Sequence, residues 1–472
     1  MDVKNCGLDP DKYTVLNPLS EALVLTTNSK NRNIILGALE ISGPIDIRAL
    51  RETANGIGKF FPQLKASLTE IKVRGKHCLV CNHQGSPEIP LVINSAYESV
   101  ETADGFDALL KQLEPSLAQK RDFFSQPACE IHLLKLAEDR HLLACILEHR
   151  ASDAITLAEI VKVFMANYHE SVTGEKSIFC EYPSVASTAV KRRIARKKTV
   201  LRDYSDTFAQ AMIPYKRCTL PHGNGRPDQR GEHYVKRLPS VNRTNSILMN
   251  CSRTRASFVD FLMAGVALAI DRWNNARNVK SSRITGAMTV NIQGRFIGDD
   301  GPNNDSVLYF ELESDQRNGF RKLARTIYST RTRLFRDQMD IKYFKGMKKI
   351  NNVLRLFPFR LRQRAYLEML ERHQTSFALG FMGVLWPENS GRKISNDSFL
   401  TSAGGLNIVE AHGMACRIVS RTPLYLAAYF FRKRLNLILS AAAWLFTREE
   451  AQSFLDLVVE VLELHPPEET RL

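Results

Sequence analysis

Two hydrophobic periods share the chain: a two-residue alternation that marks strands, and a spacing of three and four that marks helices. NIILGALEISG (33–43) alternates as a strand. A helix is predicted from near Asp46, with Ile45, Leu50 and Ile57 on its apolar side and Pro62 limiting it. VRGKHCLVCNH (73–83) and LVIN (91–94) read as strands, and FDALLKQLEPSL (106–117) as a helix. CEIHLLKLAED and RHLLACILEH (129–149) predict a hairpin turning at Glu138-Asp139-Arg140. After His149 the period lengthens. Leu157, Ile160, Val161 and Phe164 share one side of a helix over about 154–169, which Ser152 or Asp153 would cap.

Clean periodicity is lost over 171–234 and then returns with the same kinds of element. YVKRLPS (234–240) is strand-like, and RTRASFVDFLMAGVALAIDRWNN (253–275) predicts an amphipathic helix capped at Ser257. ITGAMTVNIQGRF (284–296) and SVLYFELE (306–313) predict strands. A basic helical stretch follows over 317–371, with a break near Pro358. Four strand patterns lie at SFALGFMGVLW, LNIVEAHGM, RIVSRTPLYLAAYFF and LNLILSAAAW, and EEAQSFLDLVVEVLELH (449–465) closes as a helix. The expected class is mixed α/β, with an N-terminal lobe over 1–185, a basic irregular crossover over 186–233 and a C-terminal lobe over 234–472. No short repeat points to a solenoid.

At 472 residues and 44% hydrophobic content, the chain suits two or three packed domains and not a disordered segment. No apolar run reaches the roughly 18–20 residues of a membrane span. The N-terminal residues show no basic-then-apolar signal pattern, so a cytoplasmic protein is expected. The nine cysteines are scattered and read as free thiols. HCLVCNH (77–83) has the C-x-x-C spacing of a zinc site. Strand alternation sends Cys78 and Cys81 to opposite faces and no second pair accompanies them, so no metal is assigned.

The net charge of +15 is unevenly spread. KRRIARKK (191–198) holds six basic residues, and 317–373 holds sixteen Lys or Arg against four Asp or Glu. Such a field favours an anionic partner, either an acidic carrier protein, a phosphate-bearing co-substrate or an anionic membrane surface. Nucleic acid is ranked last, because no recognition motif accompanies the charge. In VLRLFPFRLRQRAYLEML (353–370), Arg alternates with Leu, Phe and Tyr. It reads as a helix on an anionic membrane, a carrier-docking surface, or a packed helix with solvated arginines.

The candidate chemistry lies at Glu148-His149-Arg150-Ala151-Ser152-Asp153-Ala154. With eleven histidines, an H-x-x-x-D spacing is expected by chance about half a time, so spacing alone is weak. His149 is either a core histidine with an ordinary hydrogen bond or a base at a reaction site. Its place at the end of a buried hairpin strand, with a helix starting at once, resembles the chloramphenicol-acetyltransferase-like superfamily. That group includes condensation domains, polyketide-associated acyltransferases and wax-ester-synthase-like acyltransferases, and its motif is H-H-x-x-x-D-G. Here Glu148 stands at the first His and Ala154 at the Gly. LEISGPIDIRALRETANGIGKFFPQLKASL, RASFVDFLMAGVALAI, TVNIQGRF ending at Arg295, and ALGFMGVLW with Gly383 are similar to further family segments.

The resemblance implies two chloramphenicol-acetyltransferase-like lobes, each a two-layer α+β unit, with a tunnel at their interface. It implies an acyltransferase that moves an acyl group from acyl-CoA or an acyl carrier protein to a hydroxyl or amine of a lipid or secondary metabolite. His149 would be the general base. An Asp153–Arg295 bridge would hold the loop, and breaking it from one side would cost about 3–5 kcal/mol. Asp153 as a helix cap alone is the other reading. Ala154 and Gly383 are candidates for the oxyanion position or the tunnel. A coenzyme-A or phosphopantetheine thioester would be a co-substrate, with no permanently bound cofactor. The alternatives are an amide-forming free-standing condensation enzyme, or a non-catalytic relative that binds an acylated carrier. Membrane contact through 317–373, at the inner face, is the remaining partner expectation.

Overall fold

The computed structural model describes residues 9, 12–28, 33–84, 87–94, 105–118, 122–175, 218–292, 303–371, 374–386, 401–415 and 422–464. The run KRRIARKK and Arg295 lie outside the described residues. The first part of the chain forms β1 (Tyr13–Val15), α1 (Pro18–Thr26), β2 (Ile34–Ser42), α2 (Ile47–Phe60), β3 (Ser67–Val73), β4 (Lys76–Asn82), β5 (Leu91–Asn94), α3 (Gly105–Ala118), β6 (Cys129–Ala137), β7 (Arg140–Glu148) and α4 (Ala154–Thr173). The second part forms β8 (Glu232–Arg237), α5 (Val241–Thr254), α6 (Phe258–Asn275), β9 (Arg283–Asn291), β10 (Asp305–Glu313), α7 (Phe320–Arg336), α8 (Met339–Leu354) and α9 (Phe359–Glu371). It ends with β11 (Phe377–Val384), β12 (Ser402–Ala403), β13 (Leu406–Ala415), β14 (Leu424–Phe431), β15 (Arg434–Ala442) and α10 (Arg448–Glu463).

Local chemistry explains most of these boundaries. Asp46 accepts from the Arg48 and Ala49 amides and starts α2. Asp153, not Ser152, caps α4 through the Thr156 amide at 2.7 Å. Ser257 and Asp260 form the capping box of α6. The strand expected over 73–83 is β4, which starts later, at Lys76, and is the second arm of a hairpin with β3. Arg74 and Gly75 both adopt positive φ, which turns the chain between β3 and β4. Helix α5 escaped the pattern because VNRTNSILMNCSRT is polar around most of its circumference, with its buried side limited to a few positions such as Ile247 and Cys251. The basic stretch breaks twice, at Asp337-Gln338 with Gln338 in the left-handed region, and again before α9 at Pro358.

The class is mixed α/β with two large mixed sheets, as expected. One sheet runs β12-β13-β2-β7-β6-β5 and the other β10-β9-β11-β14-β15-β8, while β1-β4-β3 form a small third sheet. Helices α2 and α4 pack on the first large sheet, where Ile57, Ile160 and Phe164 meet Leu39, Leu143 and Cys145. Gly37 of β2 lets Leu157 of α4 approach, since a Cβ there would lie 3.2 Å from that side chain. Helices α6 and α10 cover the second sheet through Phe261, Ile270, Phe454 and Leu462. The two halves are interleaved. Strand β13, late in the sequence, pairs antiparallel with β2 over Asn407–Ala415. Tyr429 of β14 ties it back to the second sheet, donating to Ala411 O at 2.8 Å and accepting from the Gly413 amide at 3.0 Å.

Candidate active site

His149 sits where β7 ends and the chain turns into α4, and it is 5% exposed. Its amide donates to Asn33 O at 2.7 Å, which extends the β2–β7 pairing by one rung. Ring atom Nδ1 lies 2.9 Å from Ser152 O and 3.0 Å from Asn303 Nδ2. The proton position is assigned from the network. Ser152 is fully buried, and its carbonyl can only accept. The Asn303 amide already donates to His149 O at 2.8 Å. Nδ1 therefore carries the proton and donates to Ser152 O. That leaves the Nε2 lone pair without a hydrogen-bond partner among the described residues.

Electrostatics favour the neutral ring. Burial pushes the His149 imidazole below its ordinary range, against the smaller opposing effects of its hydrogen bonds and the Asp153 charge. Glu148 does not reach the imidazole; it forms a buried pair with Arg150, Oε2 to Nε at 2.5 Å. Arg150 also donates to Ala66 O at 3.2 Å. Glu148, through Arg150, thus ties the loop to the Ala66 backbone.

Asp153 divides its carboxylate between the lobes. One oxygen caps α4, and the other accepts from the Asn304 amide at 3.0 Å, in the segment that leads into β10. Both are hydrogen bonds to backbone; Arg295, its expected partner, lies outside the described residues. Ala154 opens α4 and is not among the residues with positive φ, so the turn does not need a glycine there. Its amide is at the helix N-terminus, where the dipole favours negative charge.

Gly383 has φ +76 at the bulge between Phe381 and Val384 of β11, and a Cβ there would meet nothing within 4 Å. Beyond it, Trp386 donates to Ala158 O of α4 at 3.2 Å, so β11 bridges the two halves next to the helix that follows His149.

Three residues went unnoticed in the sequence. Asn303 holds both His149 O and, through its own carbonyl, the Asn17 amide at 2.5 Å. The hydroxyl of Tyr425 fills the space that a side chain at Gly380 would take. Asp305, beside Asn303, has its carboxyl held well above the usual range by burial and then by the Asp153 charge. Of these, only the GPNND run at 301–305 carries a sequence signal, a turn-like cluster. Replacing Asn303 by alanine frees the His149 carbonyl and removes the amide that lies against the imidazole. We expect kcat to fall about 10²-fold with little change in KM, because small misplacements of a base are costly. Steady-state kinetics on matched variants check this.

Cys78 and Cys81 are both buried in β4, and no group of metal-ligating side chains is present among the described residues. An apolar cavity under the first sheet, lined by Leu39, Ile57, Cys145 and Phe164, does not include any residue of the motif in its walls.

The fold that carries this site is the chloramphenicol-acetyltransferase-like one, as seen in condensation domains. The first condensation domain of the calcium-dependent antibiotic synthetase superposes with a TM-score of 0.66 at 13% identity, over 96% of this chain and 97% of that one. Polyketide synthase associated protein 5 from Mycobacterium tuberculosis gives 0.60 at 15%, over 97% and 98%. The starter condensation domain of rhizomide synthetase, a mutant solved with C8-CoA and Leu-SNAC, gives 0.61 at 13%, over 96% and 94%. No family model and no curated protein matches the sequence.

Proposed function

We propose that this protein is an acyltransferase, using a thioester donor and a hydroxyl or amine acceptor, with His149 as general base. The observation that carries the reading is the His149 ring itself: buried, with Nδ1 2.9 Å from Ser152 O and no hydrogen-bond partner at Nε2 among the described residues, while burial lowers its proton affinity. Nε2 takes the proton as the acceptor oxygen or nitrogen attacks the thioester carbonyl. The tetrahedral oxyanion forms near the N-terminus of α4, where the Ala154 amide and the helix dipole oppose its charge. Collapse breaks the C–S bond, and the imidazolium returns its proton to the departing thiolate. Donor and acceptor approach along the seam between the two halves, as a tunnel between the lobes would allow. Asp153, through α4 and the Asn304 amide, holds the two sides of that seam together, with Arg295 as a further partner.

Amide formation between carrier-bound substrates is the second reading, favoured by the fold shared with condensation domains. A panel of acyl-CoA and acyl-carrier donors, with product followed by intact mass and thiol release, separates the two. Turnover with acyl-CoA and a free alcohol or amine supports the first reading. Turnover that needs two loaded carriers supports the second, and thioester binding without turnover overturns both.

The pH dependence follows from the sign of the shift. A base whose pKa is lowered stays unprotonated to more acidic pH, so kcat/KM should be flat from about pH 6.5 to 8 and fall only below the usual histidine value. An acid limb centred above pH 7 would contradict this. The same shift makes the fold acid-sensitive. Unfolded chains bind the proton below about pH 6.5 while the native ring resists it, so stability declines as pH falls through that window.

A further inference from the structure

By charge count the basic stretch is one cationic surface, yet its arginines divide into two sets. Arg355 and Arg362 turn inward and are buried on Glu21. What remains outside is different in kind. At the junction of α8 and α9, Val353 (56% exposed), Leu356 (57%), Phe357 (46%) and Leu361 (54%) lie within nine residues of each other. Singly exposed apolar side chains are ordinary, but four together at the turn between two helices form a patch.

Its surroundings are cationic. On α9, Arg360, Leu361 and Arg364 lie together on the exposed side, and exposed Phe357 stands just before the helix starts. The opposite face of α9 is committed inward through Arg362 and Tyr366. The β3–β4 hairpin comes alongside, with the His77 amide donating to Arg355 O at 2.6 Å. This hairpin adds the exposed Lys72 and Arg74. Phe124, 42% exposed, packs edge-on against Phe359 at 5.5 Å and widens the apolar area. Arg74, Arg360 and Arg364 make no ion pair among the described residues.

We infer that this apolar crest, ringed by Lys72, Arg74, Arg360 and Arg364, is a docking surface for the anionic face of a lipid bilayer. The apolar side chains would enter the boundary between headgroups and acyl chains, about 5–10 Å deep, while the cations meet lipid phosphates. No described helix is long and apolar enough to cross a membrane, so the contact is peripheral. The inference is independent of the proposed catalysis, because none of these residues belongs to the His149 site.

The test is vesicle flotation of the full chain, with phosphatidylcholine vesicles and with vesicles in which about one third of the lipid is phosphatidylserine. Binding at least about tenfold stronger to the anionic vesicles, weakening as salt is raised, is expected. A Leu356→Ser/Phe357→Ser/Leu361→Ser variant should lose at least about tenfold in that affinity. It should keep its thermal unfolding midpoint, since the positions are exposed. Arg360→Gln/Arg364→Gln should weaken binding and flatten its salt dependence, and His149→Ala should bind as wild type does. The inference is overturned if wild type leaves both vesicle types unbound. It is equally overturned if the serine variant binds undiminished, or if the crest instead holds an acidic carrier protein or a second copy of this chain while vesicles are ignored.

Discussion

Replacing His149 by alanine should lower acyl transfer by about 10²–10⁴-fold, the usual contribution of a positioned general base. Among the described residues near the loop, the other carboxylates are not free for the role. Glu148 is engaged with Arg150, the Asp153 oxygens are engaged with the Thr156 and Asn304 amides, and burial and the Asp153 charge hold Asp305 toward its protonated form. The variant should still fold, because the ring contributes one local hydrogen bond, to Ser152 O, while the loop is also held by Asn33, Asn303 and Ser20. Loss of that bond and of some packing costs about 1–3 kcal/mol. The measurement is single-turnover product formation by intact mass, with circular dichroism as the folding control. A variant that transfers acyl groups at the wild-type rate ends the assignment of His149 as base.

The largest effect on stability is expected at Glu21. Its side chain is fully buried in α1 and meets three groups. Oε1 accepts from Arg362 Nη1 at 2.6 Å, and Oε2 accepts from Arg355 Nη2 at 2.6 Å and Asn351 Nδ2 at 3.1 Å. Arg362 passes the contact on to Glu70 of β3 at 2.8 Å, and Tyr366 donates to Asn351. One carboxylate therefore joins α1, α8, α9 and the small sheet. Glu21→Ala strands the buried Arg355 guanidinium and leaves Arg362 with Glu70 alone, and removing one side of such a pair costs about 3–5 kcal/mol. Denaturant titration should show the midpoint falling accordingly. Converting the whole cluster to apolar residues, Glu21→Leu/Arg355→Met/Arg362→Leu, should recover much of the loss, since the penalty comes from unpaired buried charge. A shift below about 1 kcal/mol for Glu21→Ala would show that water reaches the cluster.

Much of the site loop was legible before any coordinates. The change of period at His149, with apolar alternation before it and Leu157, Ile160 and Phe164 after it, places a titratable ring at a strand-to-helix turn. Of the two readings of Asp153, the cap is seen, while the bridge to Arg295 concerns a residue outside the described ones. Asp153 is a cap, as propensity suggests, and it also reaches across to Asn304, as a loop-fixing carboxylate would. The basic stretch was read least well. Counting charges treats Arg355 and Arg362 like Arg360 and Arg364, although two are buried on Glu21 and two face out.

The sequence alone determined what is set within a few residues: which segments alternate and which wind, the caps at Asp46 and Ser257, and the H-x-x-x-D spacing at 149–153. Those features follow from backbone geometry and from which side of an element is buried. The tertiary structure decided which distant pieces meet. It put β13 in the first sheet, Asn303 against His149 across 154 positions, and Arg355 on Glu21 across 334. Partner choice of that kind depends on register and packing between segments that carry no shared period, so it leaves no trace along the chain until the chain is folded.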